Sequence, residues 1–414
     1  MTRIVDEFGT PLYIYDGNMI QERYDAVRQA FPSFDVFYSM KANPSLAVVG
    51  LLLSLGAGAE ISSAGELFIA KEAGYDPLDI VFAGPGKTDR ELERAIMSGL
   101  FAIHAESFRE LDRILRIAQL VGIPPRVALR INTAAGLTRV GEGSAGPLHE
   151  RMAGGPSKFG IDEEKIDELA GYLKRSPLEI MGIHVYTASQ ILHADDIVAN
   201  ARRTVAAAER VEQATGAPLL EVDFGGGFGV PHYEEETPLD LKDVGERVEE
   251  VFRPFSERRN TRLIIELGRY LLSESGVFVS RIIELKESRG ERYAITDGGV
   301  NQFVRPVLMG VRHEAHIINR LGAPSTLEAR ATGPLCTPID ITAQRLAVPE
   351  GLAVGDLVGI FNAGAYGLSM SPSAFLSHAA PVEALVYDGE LIEARGRGRY
   401  EDLLTNQKPF TERG

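Results

Sequence analysis

The sequence predicts an α/β protein in which a (β/α)₈ barrel of the TIM type is followed by a mostly β domain. Short apolar runs, rich in β-branched residues, alternate with amphipathic stretches along the first two thirds of the chain. Eight such runs occur, and eight parallel strands joined by helices close a barrel. After residue 272 the long helical periods stop and strand-like alternation takes over. A doubly wound parallel sheet is the alternative for the first part.

The predicted barrel strands are apolar runs that end in polar or glycine-rich turns. They span residues 36–39, 59–62, 80–83, 102–104, 127–131, 183–186, 220–224 and 263–266. The segments between them carry apolar residues three and four positions apart, the spacing of one helix face. The predicted helices span residues 45–55, 64–73, 89–97, 106–120, 163–173, 194–214 and 244–256. In such a barrel the chemistry lies at the carboxyl ends of the strands, so candidate site residues are sought there.

The remaining chain predicts a second domain. Strand-like runs occur at residues 277–285, 293–297, 339–348, 357–361 and 382–386. We assign residues 272–414 to this C-terminal β domain and residues 26–271 to the barrel. The run at residues 11–15 is also strand-like, and we expect residues 1–25 to pack with the β domain.

Composition and charge argue against several classes of function. The 414 residues include 44% hydrophobic and 24% charged residues, as in an ordinary globular protein. The net charge of −15 repels polyanions, so we expect no nucleic-acid partner. The longest apolar stretch, residues 46–59, contains Ser54 and three glycines, and it is shorter than the roughly 18 residues that a membrane span needs. The N-terminus lacks the pattern of a secretory signal, and a soluble cytoplasmic protein is expected.

Cysteine and histidine give no metal-binding pattern. The single cysteine, Cys336, excludes an intramolecular disulfide and a zinc site built from several cysteines. His313 and His316 form the one close histidine pair, without an evident third ligand, so no metal site is predicted. His184, inside a predicted strand, is interpreted as a core residue. A small buried hydrophobe is the ordinary role of a lone cysteine.

Lys41 ends the first predicted barrel strand, in the segment Y-S-M-K-A-N. At that place its amine would point into the barrel mouth. Burial lowers the pKa of a lysine, and the neutral amine can attack a carbonyl to form a Schiff base. The alternative is a strand-end lysine whose ammonium reaches solvent.

Two further strand ends carry residues that suit an anionic cofactor. The seventh strand runs into V-D-F-G-G-G-F-G, whose glycines leave backbone N–H groups free to surround a phosphate, although a tight turn would need the same glycines. The eighth strand ends in I-I-E-L-G-R, which directs Glu266 into the barrel mouth with Gly268 and Arg269 just beyond. The carboxylate could pair with Arg269 or with the protonated ring nitrogen of a pyridine cofactor. A lysine, a phosphate cradle and a ring-facing carboxylate are together what pyridoxal phosphate (PLP) requires.

Motifs along the whole chain closely resemble those of the fold-type III PLP-dependent decarboxylases, the diaminopimelate and ornithine decarboxylase group. They are Y-S-M-K-A-N, E-I-S-S-A-G-E-L, F-A-G-P-G-K-T, G-I-H-V-Y-T-A-S-Q, V-D-F-G-G-G-F-G, E-L-G-R, D-G-G-V-N, G-P-L-C-T-P-I-D and G-A-Y-G-L-S-M-S. These motifs stand in the family's order. The resemblance implies a PLP-binding barrel with a β domain, and an enzyme that removes CO₂ from an amino acid.

The resemblance also implies roles for individual residues. Lys41 would hold PLP as the internal aldimine, and Glu266 would pair with the pyridine nitrogen. The residues that would hold the phosphate are Ser189, Gly226, Gly227, Arg269 and Tyr366, with Gly268 beside them. In this family the enzyme is a head-to-tail homodimer with shared active sites, so Cys336 and Asp340 would act in the partner's barrel mouth. Cys336 and the released Lys41 are the candidates for returning a proton after CO₂ leaves.

The sequence departs from the diaminopimelate decarboxylase pattern at several positions. Tyr186 stands where these enzymes usually have a second histidine that stacks on the cofactor, and a tyrosine can still stack. The cysteine loop reads C-T-P-I-D instead of C-E-S-x-D, so Thr337 replaces a glutamate that contacts the distal amino group of diaminopimelate. Arg305 is retained, but Met309 replaces a tyrosine. His378, in S-H-A-A-P, lies where a basic S-R-P-R-P segment is expected.

These replacements predict a substrate without the distal amino-acid head of diaminopimelate, for example a glutamyl group tethered to a carrier protein. A buried site that has lost polar partners discriminates against a substrate that needs them. One alternative is a meso-diaminopimelate decarboxylase that makes L-lysine. A second is a PLP-dependent amino-acid racemase, against which the C-T-P-I-D loop and the two-domain length argue. A homologue without catalysis would be expected to lack Lys41 or Cys336, and both are present.

Overall fold

The structure is a computed structural model, and it describes residues 1–134, 152–258 and 260–410. The chain divides into two compact units. The barrel unit is Met19–Leu272, and the β unit combines Met1–Asn18 with Ser273–Gly414. Within the described residues, no helix has both the length and the apolar character that a bilayer span requires.

Helices and strands are numbered separately in chain order. The helices are α1 (Thr2–Phe8), α2 (Gly17–Ala30), α3 (Leu46–Ser54), α4 (Ala64–Ala73), α5 (Asp89–Ser98), α6 (Phe108–Val121), α7 (Ile166–Leu173), α8 (Ala194–Thr215), α9 (Leu241–Ser256), α10 (Arg269–Leu272) and α11 (Arg305–Leu308). The strands are β1 (Leu12–Asp16), β2 (Phe34–Ser39), β3 (Gly58–Ile61), β4 (Ile80–Phe82), β5 (Ala102–Ala105), β6 (Val127–Asn132), β7 (Ile161–Asp162), β8 (Ile180–His184), β9 (Glu221–Gly226), β10 (Arg262–Leu267), β11 (Gly276–Ser288), β12 (Glu291–Thr296), β13 (Ala315–Ile317), β14 (Ser325–Thr332), β15 (Ile341–Pro349), β16 (Leu357–Ile360), β17 (Val382–Tyr387) and β18 (Glu390–Arg395).

The barrel unit contains a closed parallel barrel, which confirms the predicted fold class. Its strands follow the order β2, β3, β4, β5, β6, β8, β9 and β10, and β10 pairs with β2 to close the ring. Every residue of β6 and β9 is buried, because strands covered on both faces need nearly continuous apolar sequence. Each of the eight predicted strands overlaps one of these strands, and the closure excludes the doubly wound sheet.

The helices between the strands begin and end at recognisable signals. α5 begins with a capping box, in which the Thr88 hydroxyl accepts from the Glu91 N–H and the Glu91 carboxylate accepts from the Thr88 N–H. Leu92, Ala95 and Ile96 form its buried face at the spacing of three and four that predicted the helix. Local sequence and packing therefore agree on where this helix lies.

The β unit has a mixed sheet in the order β15-β14-β12-β11-β1-β17-β18, with β16 pairing with both β11 and β13. β1 pairs antiparallel with β11 and parallel with β17, so the N-terminal strand belongs to this sheet. The six strand-like runs predicted outside the barrel overlap β1, β11, β12, β15, β16 and β17. A hydrophobic cluster that includes Leu12, Val279 and Val382 packs on the sheet.

Candidate active site

The carboxyl ends of the barrel strands surround a cavity of about 330 Å³ within the barrel unit. Three sequence-predicted residues, Lys41, Tyr186 and Glu266, line it together. Glu60 and Arg130 also line it, and both are buried. Catalytic groups of (β/α)₈ barrels are found at this end of the barrel. The amine, carboxylates and guanidinium that line the cavity are groups that an active site can use.

Lys41 lies in a short 3₁₀ turn, Met40–Ala42, directly after β2. Its Nζ donates a hydrogen bond to Oε2 of Glu60 in β3, and the two side chains form an ion pair. The Lys41 side chain is 37% exposed, whereas that of Glu60 is 2% exposed. The Ser62 hydroxyl donates to the other Glu60 oxygen at 3.1 Å. A fixed, buried carboxylate thus holds the amine at the cavity.

Glu266 lies in β10 with its side chain 1% exposed. Its Oε2 is 3.3 Å from Nε2 of His184, and its Oε1 is buried without a hydrogen-bond partner among the described residues. Burial alone would raise the pKa of Glu266, but the charges of His184, Lys41 and His104 outweigh it and hold the pKa below the usual value. An ionised carboxylate with one unpartnered oxygen can pair with a cationic ring nitrogen.

A buried polar cluster surrounds Glu266 inside the barrel. The rings of His104 and His184 lie 4.6 Å apart, and Nε2 of His104 is 2.8 Å from Oε1 of Glu221 and 3.9 Å from Oδ2 of Asp223. Burial lowers the pKa of His184, and burial together with the neighbouring carboxylates raises that of Asp223 well above its usual value. Ligand atoms of His104, His184, Asp223 and Glu266 lie within 4.8 Å of one another, so this cluster could also hold a metal ion.

The glycine turn at the end of β9, residues 225–227, allows the backbone to lie close to neighbouring backbone. A Cβ at Gly226 would lie 1.8 Å from the Glu266 carbonyl oxygen, and one at Gly227 would lie 2.0 Å from the Ala188 carbonyl oxygen. Gly227 also has φ +86°, which side chains rarely tolerate. Ser189 follows Ala188, so its backbone lies beside the turn.

Arg269 extends this group of anion-binding donors. Its Nη2 donates to the Ser189 hydroxyl at 3.2 Å. Gly268 permits close packing there, because a Cβ would lie 2.9 Å from that of Ala42. Guanidinium, hydroxyl and turn N–H groups are typical phosphate ligands, and the structure gathers them at one edge of the barrel mouth.

The other predicted site residues lie in the β unit. Cys336 is exposed, and Thr337, Met309 and His378 are partly exposed. Asp340 is buried, and its carboxylate accepts the N–H groups of Val300 and Leu335, both at 2.8 Å. That side chain therefore ties the cysteine loop to the D-G-G-V-N turn.

Arg305 and Tyr366 lie close together in the same unit. The Arg305 guanidinium is 5.7 Å from the Tyr366 ring centroid, and Arg305 is 2% exposed. Tyr366 adopts φ +56°, a conformation that non-glycine residues adopt only where packing imposes it. The histidine pair has protein partners, since Nδ1 of His313 is 2.9 Å from the Phe361 carbonyl oxygen and Nε2 of His316 is 2.6 Å from Glu314.

Sequence reasoning missed several polar residues of the barrel mouth. Glu60, His104 and Arg130 are each the single charged or histidine residue of an apolar strand, and Asp223 shares β9 with Glu221. Such isolated polar residues attract little attention in a sequence. Arg130 pairs with the Glu106 carboxylate at 3.1 Å. The sequence did offer one signal, which is the position of these residues in predicted barrel strands. Charged or polar side chains that are buried inside a barrel need partners there.

A lysine, a buried carboxylate and an anion-binding edge at the mouth of a barrel define an enzyme that can hold a phosphorylated aromatic cofactor. Residues 18–273 match the family model described as pyridoxal-dependent decarboxylase, pyridoxal binding domain. The chain belongs to this family.

Full-length relatives agree with this assignment. The chain is 34% identical to an L-glutamyl-[BtrI acyl-carrier protein] decarboxylase of Niallia circulans, over 98% of this chain and 96% of that protein. It is also 34% identical to the diaminopimelate decarboxylase of Aquifex aeolicus (strain VF5), over 98% and 93%. The crystal structure of Helicobacter pylori diaminopimelate decarboxylase complexed with L-lysine matches with a TM-score of 0.88, 30% identity and 98% coverage of each chain. The protein is a PLP-dependent decarboxylase, as the sequence predicts.

Proposed function

We propose that Lys41 forms the covalent link to PLP and that Glu266 pairs with the ring nitrogen. The amine of Lys41 lies at the cavity, and Glu266 offers a buried oxygen without a partner among the described residues. Bound PLP supplies the electron sink for the electron pair that remains when CO₂ leaves. Glu60 holds the ammonium of Lys41 and can take up its proton when the amine reacts.

The anion-binding edge is the place that we assign to the phosphate. The proposed ligands are Ser189, Gly226, Gly227 and Arg269, with Gly268 allowing the close packing, and Tyr366 of the β unit as a further ligand. Tyr186 lines the cavity and can pack against the ring. The guanidinium and the turn N–H groups would hold the phosphate and so would position the cofactor ring relative to Glu266.

The substrate that we propose is an amino acid or amino-acyl group without the distal head of diaminopimelate, and a carrier-tethered glutamyl group is the first candidate. Thr337, Met309 and His378 take the place of polar contacts to that head. A relative at 34% identity is named for a glutamyl-carrier substrate. The retained Arg305 and the relatives named diaminopimelate decarboxylase keep meso-diaminopimelate as the second candidate.

The hydrogen bonds of Asp340 support the substrate proposal. The acid nearest to Thr337 in its loop is Asp340, and both of its oxygens accept backbone N–H groups. Asp340 is therefore engaged in holding its own loop, and we do not assign it the place of the missing glutamate. We assign Asp340 this structural role in place of substrate contact, and Cys336 remains the proposed proton donor.

Restoring the missing acid tests the proposal. We expect Thr337→Glu to raise kcat/KM for meso-diaminopimelate by about tenfold or more, because a buried ammonium gains a charged partner. Thr337→Ser, the matched control, should leave that value unchanged. A wild-type enzyme that already decarboxylates diaminopimelate efficiently, and gains nothing from the glutamate, would contradict the proposal.

We also propose a cytoplasmic homodimer in which Cys336 serves the partner's barrel. Mixed Lys41→Ala and Cys336→Ala chains would then form hybrid dimers with one intact site. Random exchange predicts recovery of about a quarter of the wild-type activity. Two inactive variants that stay inactive after exchange, while light scattering shows dimers, would exclude shared sites.

A further inference from the structure

Arg130 is a buried arginine to which the proposed function gives no role. It lies in β6 and is 5% exposed. It lines the same cavity as Lys41, Tyr186 and Glu266. Its guanidinium carbon is 4.5 Å from the Phe159 ring centroid and 6.0 Å from that of Tyr186. A buried cation is thus held against two aromatic rings at the cavity.

The Glu106 carboxylate fixes this guanidinium at one nitrogen. Its Oε1 accepts from Nη1 of Arg130 at 3.1 Å and from the Gly84 N–H at 3.0 Å, and its Oε2 accepts the Gly160 N–H at 2.7 Å. The Glu106 side chain is 2% exposed. Nε and Nη2 of Arg130 have no hydrogen-bond partner among the described residues. These two donor nitrogens are therefore available to a molecule bound in the cavity.

The positive charge of Arg130 suits an oxyanion, and bound PLP and the proposed substrate offer three. They are the phosphate, the oxygen on the pyridine ring and the carboxylate that leaves as CO₂. The phosphate is assigned to Arg269, Ser189 and the glycine turn, whereas Arg130 contacts Glu106 and the two aromatic rings. The leaving carboxylate loses its charge as CO₂ forms, so a cation that held it would stabilise the ground state more than the transition state. The ring oxygen is the group that remains.

We propose that Arg130 binds the ring oxygen of PLP and that Glu106 is the positioning residue that holds the guanidinium there. A guanidinium at the ring oxygen and the Glu266 carboxylate at the ring nitrogen give both polar atoms of the ring a charged partner. The inference rests on the proposed function, which places PLP in this cavity with its ring nitrogen at Glu266.

The test compares PLP with the PLP analogue that lacks the ring hydroxyl. Equilibrium dialysis measures the dissociation constant of each ligand, and the ratio of the analogue's constant to that of PLP reports the contribution of the ring oxygen. We expect this ratio to fall by about tenfold or more in Arg130→Ala, because a charge-assisted hydrogen bond is lost. Any effect of the hydroxyl on the ligand's own reactivity is the same in every variant and cancels.

Arg126→Ala is the matched control. Arg126 directly precedes β6, is exposed, and lies at the end of the strand away from the cavity. Its Nε donates to the Phe101 carbonyl oxygen at 2.7 Å, and its guanidinium carbon is 5.1 Å from the Phe101 ring centroid. It therefore matches the contacts of Arg130 with an acceptor and a ring, and its removal should leave the ratio unchanged.

Glu106→Gln tests the positioning role. Glutamine keeps a carbonyl oxygen as acceptor but removes the charge that holds the guanidinium. We expect Glu106→Gln to lower the ratio by about threefold or more when Arg130 is present. Added to Arg130→Ala, it should change the ratio no further, because it acts through the guanidinium. If Arg130→Ala does not fold, Arg130→Met combined with Glu106→Gln takes its place, since it leaves no unpaired buried charge.

Several results would overturn the inference. They are equal losses of affinity for PLP and for the analogue in Arg130→Ala, wild-type affinity for both, and a fall in the ratio of the same size in Arg126→Ala. An effect of Glu106→Gln that adds fully to that of Arg130→Ala would overturn the positioning role. Failure of the proposed function is distinguishable, because it would appear as visible absorbance that persists in Lys41→Ala.

Discussion

Two buried carboxylates, one in each unit, show how differently the chain uses the same group. Glu266 in the barrel unit faces His184 and the cavity, and its Oε1 has no partner among the described residues. Asp340 in the β unit has two oxygens that accept backbone N–H groups. Imidazole and ammonium charges lower the pKa of Glu266, whereas burial raises that of Asp340 despite its backbone hydrogen bonds. An acid with an unused oxygen at a cavity is suited to binding, and one satisfied by peptide groups holds structure.

The largest expected effect is at Lys41. We expect Lys41→Ala to abolish both decarboxylation and the visible absorbance of bound PLP, because the covalent link to the cofactor is lost. Absorption spectra and CO₂ release check this prediction. Lys71→Ala, on a barrel helix with its amine bonded to the Ser98 hydroxyl, is the control that should keep both. An unchanged spectrum in Lys41→Ala would remove Lys41 from its proposed role.

Neutralising the two carboxylates should separate their functions. We expect Glu266→Gln to lower kcat by about 10²–10³, because a charge that stabilises the electron-accepting ring is removed, and to shift the visible band. Asp340→Asn should leave the band where it is. Equal spectral shifts in the two variants would contradict the distinction between them.

Asp340, unlike Glu266, should matter mainly for the stability of the fold. We expect Asp340→Ala to lower the free energy of unfolding by about 2–4 kcal/mol, since two buried N–H groups lose their acceptor. Asp340→Asn keeps one acceptor and should lose about half as much. The cysteine loop should loosen as well, which faster alkylation of Cys336 would report. Urea denaturation provides the energies, and a change below about 0.5 kcal/mol in the alanine variant would show that Asp340 does not hold this loop.

The smallest effect concerns pH. Because the folded pKa of Asp223 is raised from the ordinary value of 3.8, the folded protein keeps a proton that the unfolded chain releases. The wild-type free energy of unfolding therefore falls as pH rises above that value, by at most about 1.4 kcal/mol per pH unit from this group. Asp223→Asn removes this contribution, so it should gain stability relative to wild type as the pH rises above 3.8. A constant difference between the two proteins would show that Asp223 is already ionised.

The barrel was predictable because its strands are nearly continuous apolar runs. The sixth predicted strand was displaced, from the observed Ile180–His184 to residues 183–186. Gly182 reads as a strand breaker, but it lies within the strand, where a Cβ would be 2.4 Å from that of Glu221. In the β unit, β13, β14 and β18 were missed. β18 has no buried residue, so its sequence has no apolar run.

The site residues were predictable only where they belong to a recognisable sequence motif. Lys41 and Glu266 stand at strand ends in distinctive motifs, and the structure brings both to one cavity. His104 and Asp223 lie on different strands, and only closure of the barrel places them beside Glu266. The engagement of Asp340 with Val300 and Leu335 depends on contacts across 40 and 5 residues. The spacing of residues in the sequence does not show which backbone N–H groups a carboxylate oxygen accepts.

The most direct test of the account is mass-spectrometric product analysis of the PLP-loaded enzyme. A carrier-bound glutamyl group, meso-diaminopimelate, ornithine and lysine would be incubated in parallel at equal concentrations. We expect loss of CO₂ from the carrier-bound group and little conversion of diaminopimelate to lysine. Efficient conversion of diaminopimelate, with no reaction of the carrier-bound group, would contradict this expectation.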